Sequence, residues 1–155
     1  MPLPTIGAQA PAFSLPSDAH GQINLSDYSG RALALFFYPR DSTSGCTIEA
    51  RDFTALEPQF TAAGCAVLGV SKDSLRKHAN FRSKQDLSIP LLSDEGGTMC
   101  EDYGVWAEKK MYGKSFMGIV RSSFLISADG RIAQIWSPVK VAGHAAEVLE
   151  AAQAL

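Results

Sequence analysis

The chain has 155 residues, 46% hydrophobic and 19% charged, which is long enough to bury one sizeable core and too apolar for a disordered chain. Its formal net charge is −2 and its basic residues are scattered, so it carries no electrostatic footprint for nucleic acid or an anionic membrane. The opening MPLPTIGAQAPAF has neither a basic leader nor a signal-type apolar run, and no segment approaches the roughly 18 apolar residues of a membrane span. Cys46, Cys65 and Cys100 are odd in number, widely spaced and without a CxxC, a pattern of reduced thiols in a cytoplasmic protein. One domain over residues 1–155 is expected.

In chain order, residues 1–30 mix Pro, Gly, Asp and Ser with short apolar pieces and read as irregular chain with a short hairpin. RALALFFY (31–38) is a short, nearly continuous apolar run between Gly30 and Pro39, the pattern of a buried central strand. After the loop PRDSTSG, apolar residues recur at Ile48, Phe53, Leu56 and Phe60, predicting a core-facing helix with Thr47 and Glu49 in its first turn and a kink or end at Pro58. CAVLGVS (65–71) is a second buried strand, followed by a helix capped by Asp73 or Ser74. IPLLSD gives a third strand, GTMCEDYGVW a short helix, and SSFLISADGRIAQIW two strands joined at Ala128-Asp129-Gly130-Arg131. A helix over 143–155 closes the chain. The alternation predicts a mixed β-sheet with helices on both faces. A three-layer thioredoxin-like fold satisfies it, and a flavodoxin-like fold suits the first half equally well.

Several chemistries are excluded. Gly113-Lys114-Ser115 has Glu108 where a phosphate-cradling P-loop needs glycine, and GxGxxG and GxSxG are absent. His20, His78 and His144 lack ligand spacing and read as surface or capping residues, so neither a metal nor a cofactor is expected. Cys46 stands out by its setting. It follows a strand end, a proline and a polar loop, and opens a helix whose unpaired N–H groups and positive dipole end favour an anion such as a thiolate. Position alone leaves two readings open, a reactive thiolate or a small apolar cap residue.

Pro39 and Thr43 precede Cys46 as P-R-D-S-T-S-G-C, which resembles the PxxxTxxC signature of the peroxiredoxins. FFYPRDSTSGCTIEARDF is similar to the FYPkdnTpGCTxEaxdF region of their Q subfamily, the bacterioferritin comigratory proteins. GVSKDS, LLSDEGG, YGVW, KKMYGKSFMGIVRSSFLI and ADGRI extend the likeness in order over most of the chain. The resemblance implies a thioredoxin-like fold and a thiol peroxidase that reduces hydrogen peroxide and organic hydroperoxides. It implies that Cys46 attacks the peroxide and becomes a sulfenic acid, that Thr43 offers a hydroxyl, that Pro39 shapes the loop, and that Arg121 supplies a fixed cation. Glu49 matches too, either orienting an arginine or complementing the helix dipole. Trp106 and Phe116 are read as core aromatics rather than pocket walls.

Two positions depart from the subfamily pattern. Ser44 replaces the proline of TPGCT and leaves a softer loop. Arg51 stands where many Q-type members place a resolving cysteine, five residues after the peroxidatic one. Cys65 reads as a packing thiol, and Cys100 as a weak candidate resolver. The expected cycle therefore uses one cysteine, with thioredoxin, glutaredoxin or a low-molecular-weight thiol as reductant, and subfamily resemblance leans towards a monomer. A rival reading is a thioredoxin-like binding or chaperone module with a decayed peroxidase site.

Overall fold

A computed structural model describes residues 3–155. Its main sheet has seven strands: β1 (Ser14–Ser17), β2 (Gly21–Asn24), β3 (Ala32–Phe37), β4 (Cys65–Ser71), β5 (Leu91–Ser93), β8 (Ser122–Ile126) and β9 (Ile132–Trp136), in the order β2-β1-β5-β4-β3-β8-β9. β3, β4 and β5 run parallel, and β1, β8 and β9 join antiparallel. Parallel neighbours need long crossovers, and helices α1 (Ser44–Ala62) and α2 (Leu75–Gln85) supply them. The short α3 (Met99–Asp102) follows β5, and α4 (His144–Gln153) ends the chain. This mixed α/β architecture is thioredoxin-like, as the resemblance implied; the alternation alone left a flavodoxin-like fold open. Among the described residues no helix is long and apolar enough to cross a membrane.

β3 is buried at every position, and its alternation divides the core. Ala32, Ala34, Phe36 and Tyr38 face one cluster with Phe53 and Phe60 of α1, Phe81 of α2, and Val148 and Leu149 of α4. Leu33, Leu35 and Phe37 face the other, with Leu15, Met99, Tyr103 and Phe124. Cys46 belongs to the first cluster and Cys100 to the second, so the sheet stands between them.

Three local expectations are corrected. α1 runs through Pro58, which lies on the exposed side of the helix, and continues to Ala62 despite the hydrogen bond that the proline cannot donate. Ile48 is 53% exposed; the inward stripe of α1 is Cys46, Glu49, Ala50, Phe53 and Phe60. The short helix expected over GTMCEDYGVW ends at Asp102, and Trp106 instead opens a second sheet, the hairpin β6 (Trp106–Met111) and β7 (Lys114–Ile119). Its two-residue turn takes positive φ at both Tyr112 (54°) and Gly113 (75°), a type I′ geometry that tyrosine seldom adopts.

The histidines also differ from expectation, since His78 and His144 are buried and only His20 is exposed. His78 Nδ1 lies 2.6 Å from Asp41 Oδ2, and Nε2 lies 2.9 Å from the Leu92 carbonyl. Both partners are acceptors, an arrangement that favours a ring donating from both nitrogens, the protonated form. Tyr38 donates to Asp41 Oδ1 at 2.6 Å, and Asp73 Oδ2 accepts the Asp41 N–H at 2.8 Å. These bonds pin the loop between β3 and α1. Burial alone would push His78 down, but the hydrogen bond and charge of Asp41 outweigh it and hold its pKa above the ordinary value. A histidine raised in the folded state adds stability fully present below about pH 6.5 and lost as pH rises through the folded value. The unfolding free energy of wild type relative to His78→Gln is therefore expected to be largest on the acid side, about 3 kcal/mol for a broken buried pair, and to shrink above neutrality in denaturant titrations.

Candidate active site

α1 begins where β3 ends, at the carboxyl edge of the sheet where open α/β folds gather their sites. Thr43 is the N-cap, with extended backbone (φ −80°, ψ 157°), and Ser44, Gly45 and Cys46 form the first turn. Cys46 is thus the third helical residue, among N–H groups without helical partners. Its side chain is 1% exposed. Glu49 lies one turn further on, in the second turn rather than the first, and the i, i+3 spacing sets it on the same face as Cys46.

Arg121 reaches this face from the residue preceding β8. Its Nη2 donates to Cys46 Sγ at 3.3 Å and its Nη1 to Glu49 Oε1 at 2.7 Å. One guanidinium fork therefore serves two acidic groups of one helix. Arg121 is held in turn by its carbonyl, which accepts the Val139 N–H at 2.9 Å. Gly45 leaves room for this approach: a Cβ there would lie 3.2 Å from Arg121 Nη2. Gly45 and the inward position of Glu49 are the features that sequence reasoning undervalued. The available signals were a glycine inside a helical first turn and a carboxylate in register with the apolar stripe.

Burial pushes the Glu49 carboxyl up, against the pull of the Arg121 charge and hydrogen bond, to about 7. Its Oε2 is buried and has no hydrogen-bond partner. Burial lowers the Lys109 ammonium of β6, the positive Arg121 lowers it further, and the Cys46 charge opposes both. Phe116, the cross-strand partner of Lys109, is 45% exposed and so is not a core aromatic. Trp106 does pack against the second core cluster, with Lys72 Nζ 4.9 Å from its ring centroid.

The other singled-out residues fall as follows. The Thr43 hydroxyl donates to the Arg40 carbonyl at 3.0 Å and not to Cys46, while the Thr43 carbonyl accepts both the N–H and the hydroxyl of Thr47. Pro39 is exposed at the exit of β3, and Arg51 is exposed on α1. Burial pushes the Cys65 thiol up to about 12. Burial first, then the charge of Asp94, pushes the Cys100 thiol up as well. Cys100 is wholly buried on the far face of the sheet, which counts against the candidate resolving role. Asp41, Asp73 and His78 lie close enough to suggest metal ligands, but their facing atoms already bond to one another and to nearby groups.

A nucleophile at a helix start, held against a fixed cation, suits attack on a small electrophile that releases an anion. Comparison with known proteins points the same way. The AhpC/TSA family matches residues 6–135. The peroxiredoxin Bcp of Xanthomonas campestris is 48% identical over 94% of this chain and 92% of its own, and a putative peroxiredoxin bcp of Coxiella burnetii is 46% identical over 93% and 95%. Among solved structures, X. campestris peroxiredoxin Q superposes with a TM-score of 0.87 at 47% identity, covering 92% of this chain and 90% of that one. A PrxQ variant of Xylella fastidiosa superposes with 0.93 at 39% identity, covering 99% and 98%. One X. campestris structure is described in terms of the alkyl peroxide reduction activity of its bacterioferritin comigratory protein. By sequence and fold alike, the chain belongs to the AhpC/TSA family and, within it, to the peroxiredoxin Q (Bcp) group of peroxidases.

Proposed function

We propose that this chain, as one domain over 1–155, reduces hydrogen peroxide and organic hydroperoxides through Cys46 in a one-cysteine cycle that an external thiol completes. The observation that carries this reading is the Arg121 Nη2–Cys46 Sγ contact at the first turn of α1. The helix start and the guanidinium both favour negative charge on sulfur. The thiolate attacks the terminal peroxide oxygen, the O–O bond breaks, the leaving oxygen departs as hydroxide or alkoxide and takes up a proton, and Cys46 becomes a sulfenic acid. The Arg121 donors face the charge as it passes from sulfur to the leaving oxygen. Thr43 would offer its hydroxyl to the peroxide on giving up its bond to the Arg40 carbonyl. Pro39 fixes the direction in which the loop leaves β3.

The second half of the cycle is assigned to thioredoxin, glutaredoxin or a low-molecular-weight thiol. Arg51 occupies the usual resolving position, Cys65 is buried with its pKa pushed up, and Cys100 packs behind the sheet. A disulfide requires Cα atoms within roughly 7 Å and facing Cβ vectors. Three buried free cysteines accord with a reducing cytoplasm, and a monomer is the state assigned. The intact Cys46–Arg121–Glu49 geometry favours an active enzyme over a decayed binding module.

Cys46→Ser is expected to abolish peroxide turnover with every thiol donor, measured by peroxide consumption; retained activity would remove Cys46 from the reaction. After one equivalent of peroxide, peptide mass spectrometry is expected to find a trappable sulfenic acid at Cys46. An intramolecular Cys46–Cys100 disulfide as main product would contradict the one-cysteine cycle.

A further inference from the structure

The three charged groups at the site do not balance while Cys46 is a thiolate. Arg121 gives one positive charge to two acidic groups, Cys46 and Glu49, and both are 1% exposed. Two anions sharing one cation away from water leave an uncompensated charge. Among the described residues no second cation forms an ion pair with Glu49, and Asp52 on the same helix adds negative charge. Lys109 on β6 is coupled to the Cys46 charge but forms no ion pair with the site, so it offsets the excess only in part. His144 of α4 is held below its ordinary value by burial, and the positive Arg121 lowers it further, so it adds no settled positive charge. Glu49 Oε2 has no partner, so an ionised Glu49 strands half of its charge on a buried, unbonded oxygen. A proton on that oxygen removes the excess charge and leaves the Oε1–Arg121 bond in place.

We propose that Glu49 is the proton store of the peroxidase reaction: it holds a proton while Cys46 is a thiolate and releases it to the leaving oxygen when Cys46 is oxidised. This rests on the peroxidase reading above. Cys–S⁻ plus R–O–O–H plus Glu–COOH gives Cys–S–OH plus R–O–H plus Glu–COO⁻. Sulfur is oxidised by two electrons, the O–O bond takes both, and the Glu49 proton ends on the alcohol. Once the sulfur is neutral, Glu49 becomes the sole anion beside Arg121, and its ionisation no longer conflicts with a second charge. The external thiols then return the proton: the first forms a mixed disulfide and releases water, and the second displaces Cys46 as thiolate while its own proton goes to Glu49. The carboxyl's displacement towards neutrality accords with this alternation.

The role separates from simple positioning of Arg121 by a direct observation of the proton. Infrared difference spectra are taken of the reduced wild-type protein before and after one equivalent of hydrogen peroxide, on the acid side of pH 7. The expected result is loss of a carboxylic-acid C=O band with gain of a carboxylate band, the change being absent in Glu49→Gln and in Cys46→Ser. Glu49→Gln, which keeps a carbonyl for Arg121, is further expected to lower the single-turnover rate constant by about 100-fold, the lower range for a proton donor, and more for alkyl hydroperoxides whose alcohols are weaker acids. Sulfenic acid formation in wild type with no carboxyl change, or with the same change in Glu49→Gln, overturns the inference. If wild type forms no sulfenic acid with peroxide, the peroxidase reading itself fails instead.

Discussion

The Arg121 guanidinium lies 3.3 Å from Cys46 Sγ and 2.7 Å from Glu49 Oε1, and these contacts join the start of α1 to the chain entering β8. Most of the surrounding architecture serves to hold those two segments together. β3 pairs with β8 over five residues, so the end of β3, from which α1 departs, and the beginning of β8 lie at the same edge of the sheet. Gly45 removes the side chain that would crowd the guanidinium. The carbonyl of Arg121, bonded to the Val139 N–H, fixes the backbone from which the fork extends. Arginine suits this position because a planar fork meets two acceptors at once without losing its charge, and a lysine ammonium would not span both with the same geometry.

The loop from β3 into α1 carries a second constraint. Tyr38, Asp41, Asp73 and His78 form a bonded set behind it, and Ser42, immediately before the N-cap Thr43 of α1, takes a positive φ of 65°. A left-handed serine costs free energy, and the neighbouring bonds hold the chain there. Folding and chemistry are coupled through this loop, because its path decides where the first turn of α1 presents its N–H groups. The sheet provides the complementary separation: Cys46 packs on one face of β3 and Cys100 on the other, so the two thiols belong to different cores.

Much of this was legible from the residues. The apolar runs at 31–38 and 65–71 are strands because unbroken β-rich segments of that length fit only a sheet buried on both faces, and the helix-start position of Cys46 followed from the strand, proline and loop before it. The β6–β7 hairpin was hidden because its strands are half exposed and its turn uses Tyr112 in a conformation that single-residue preferences discount. Pro58 misled because a proline ends a helix or is tolerated within it according to the surroundings of its turn, and here it lies on the exposed side of α1, which is a property of the fold. At the site, PxxxTxxC drew attention to Pro39, Thr43 and Cys46, and the resemblance added Arg121 and Glu49. Burial of Glu49, the stranded Oε2 and the fork that serves two acids are tertiary facts, since they require a residue 72 positions away from Glu49 to arrive at the same face. His78 was read as a surface or capping residue because nothing in its own segment reveals that Asp41 comes to meet it.

The central claim is that the Arg121 fork makes Cys46 reactive towards peroxide. The most direct measurement is the single-turnover rate constant of reduced protein with hydrogen peroxide, followed by stopped flow, for wild type and Arg121→Gln of unchanged circular dichroism. Removal of a donor aimed at developing charge is expected to lower that constant by about 100-fold or more. A rate constant within a few-fold of wild type would contradict the account.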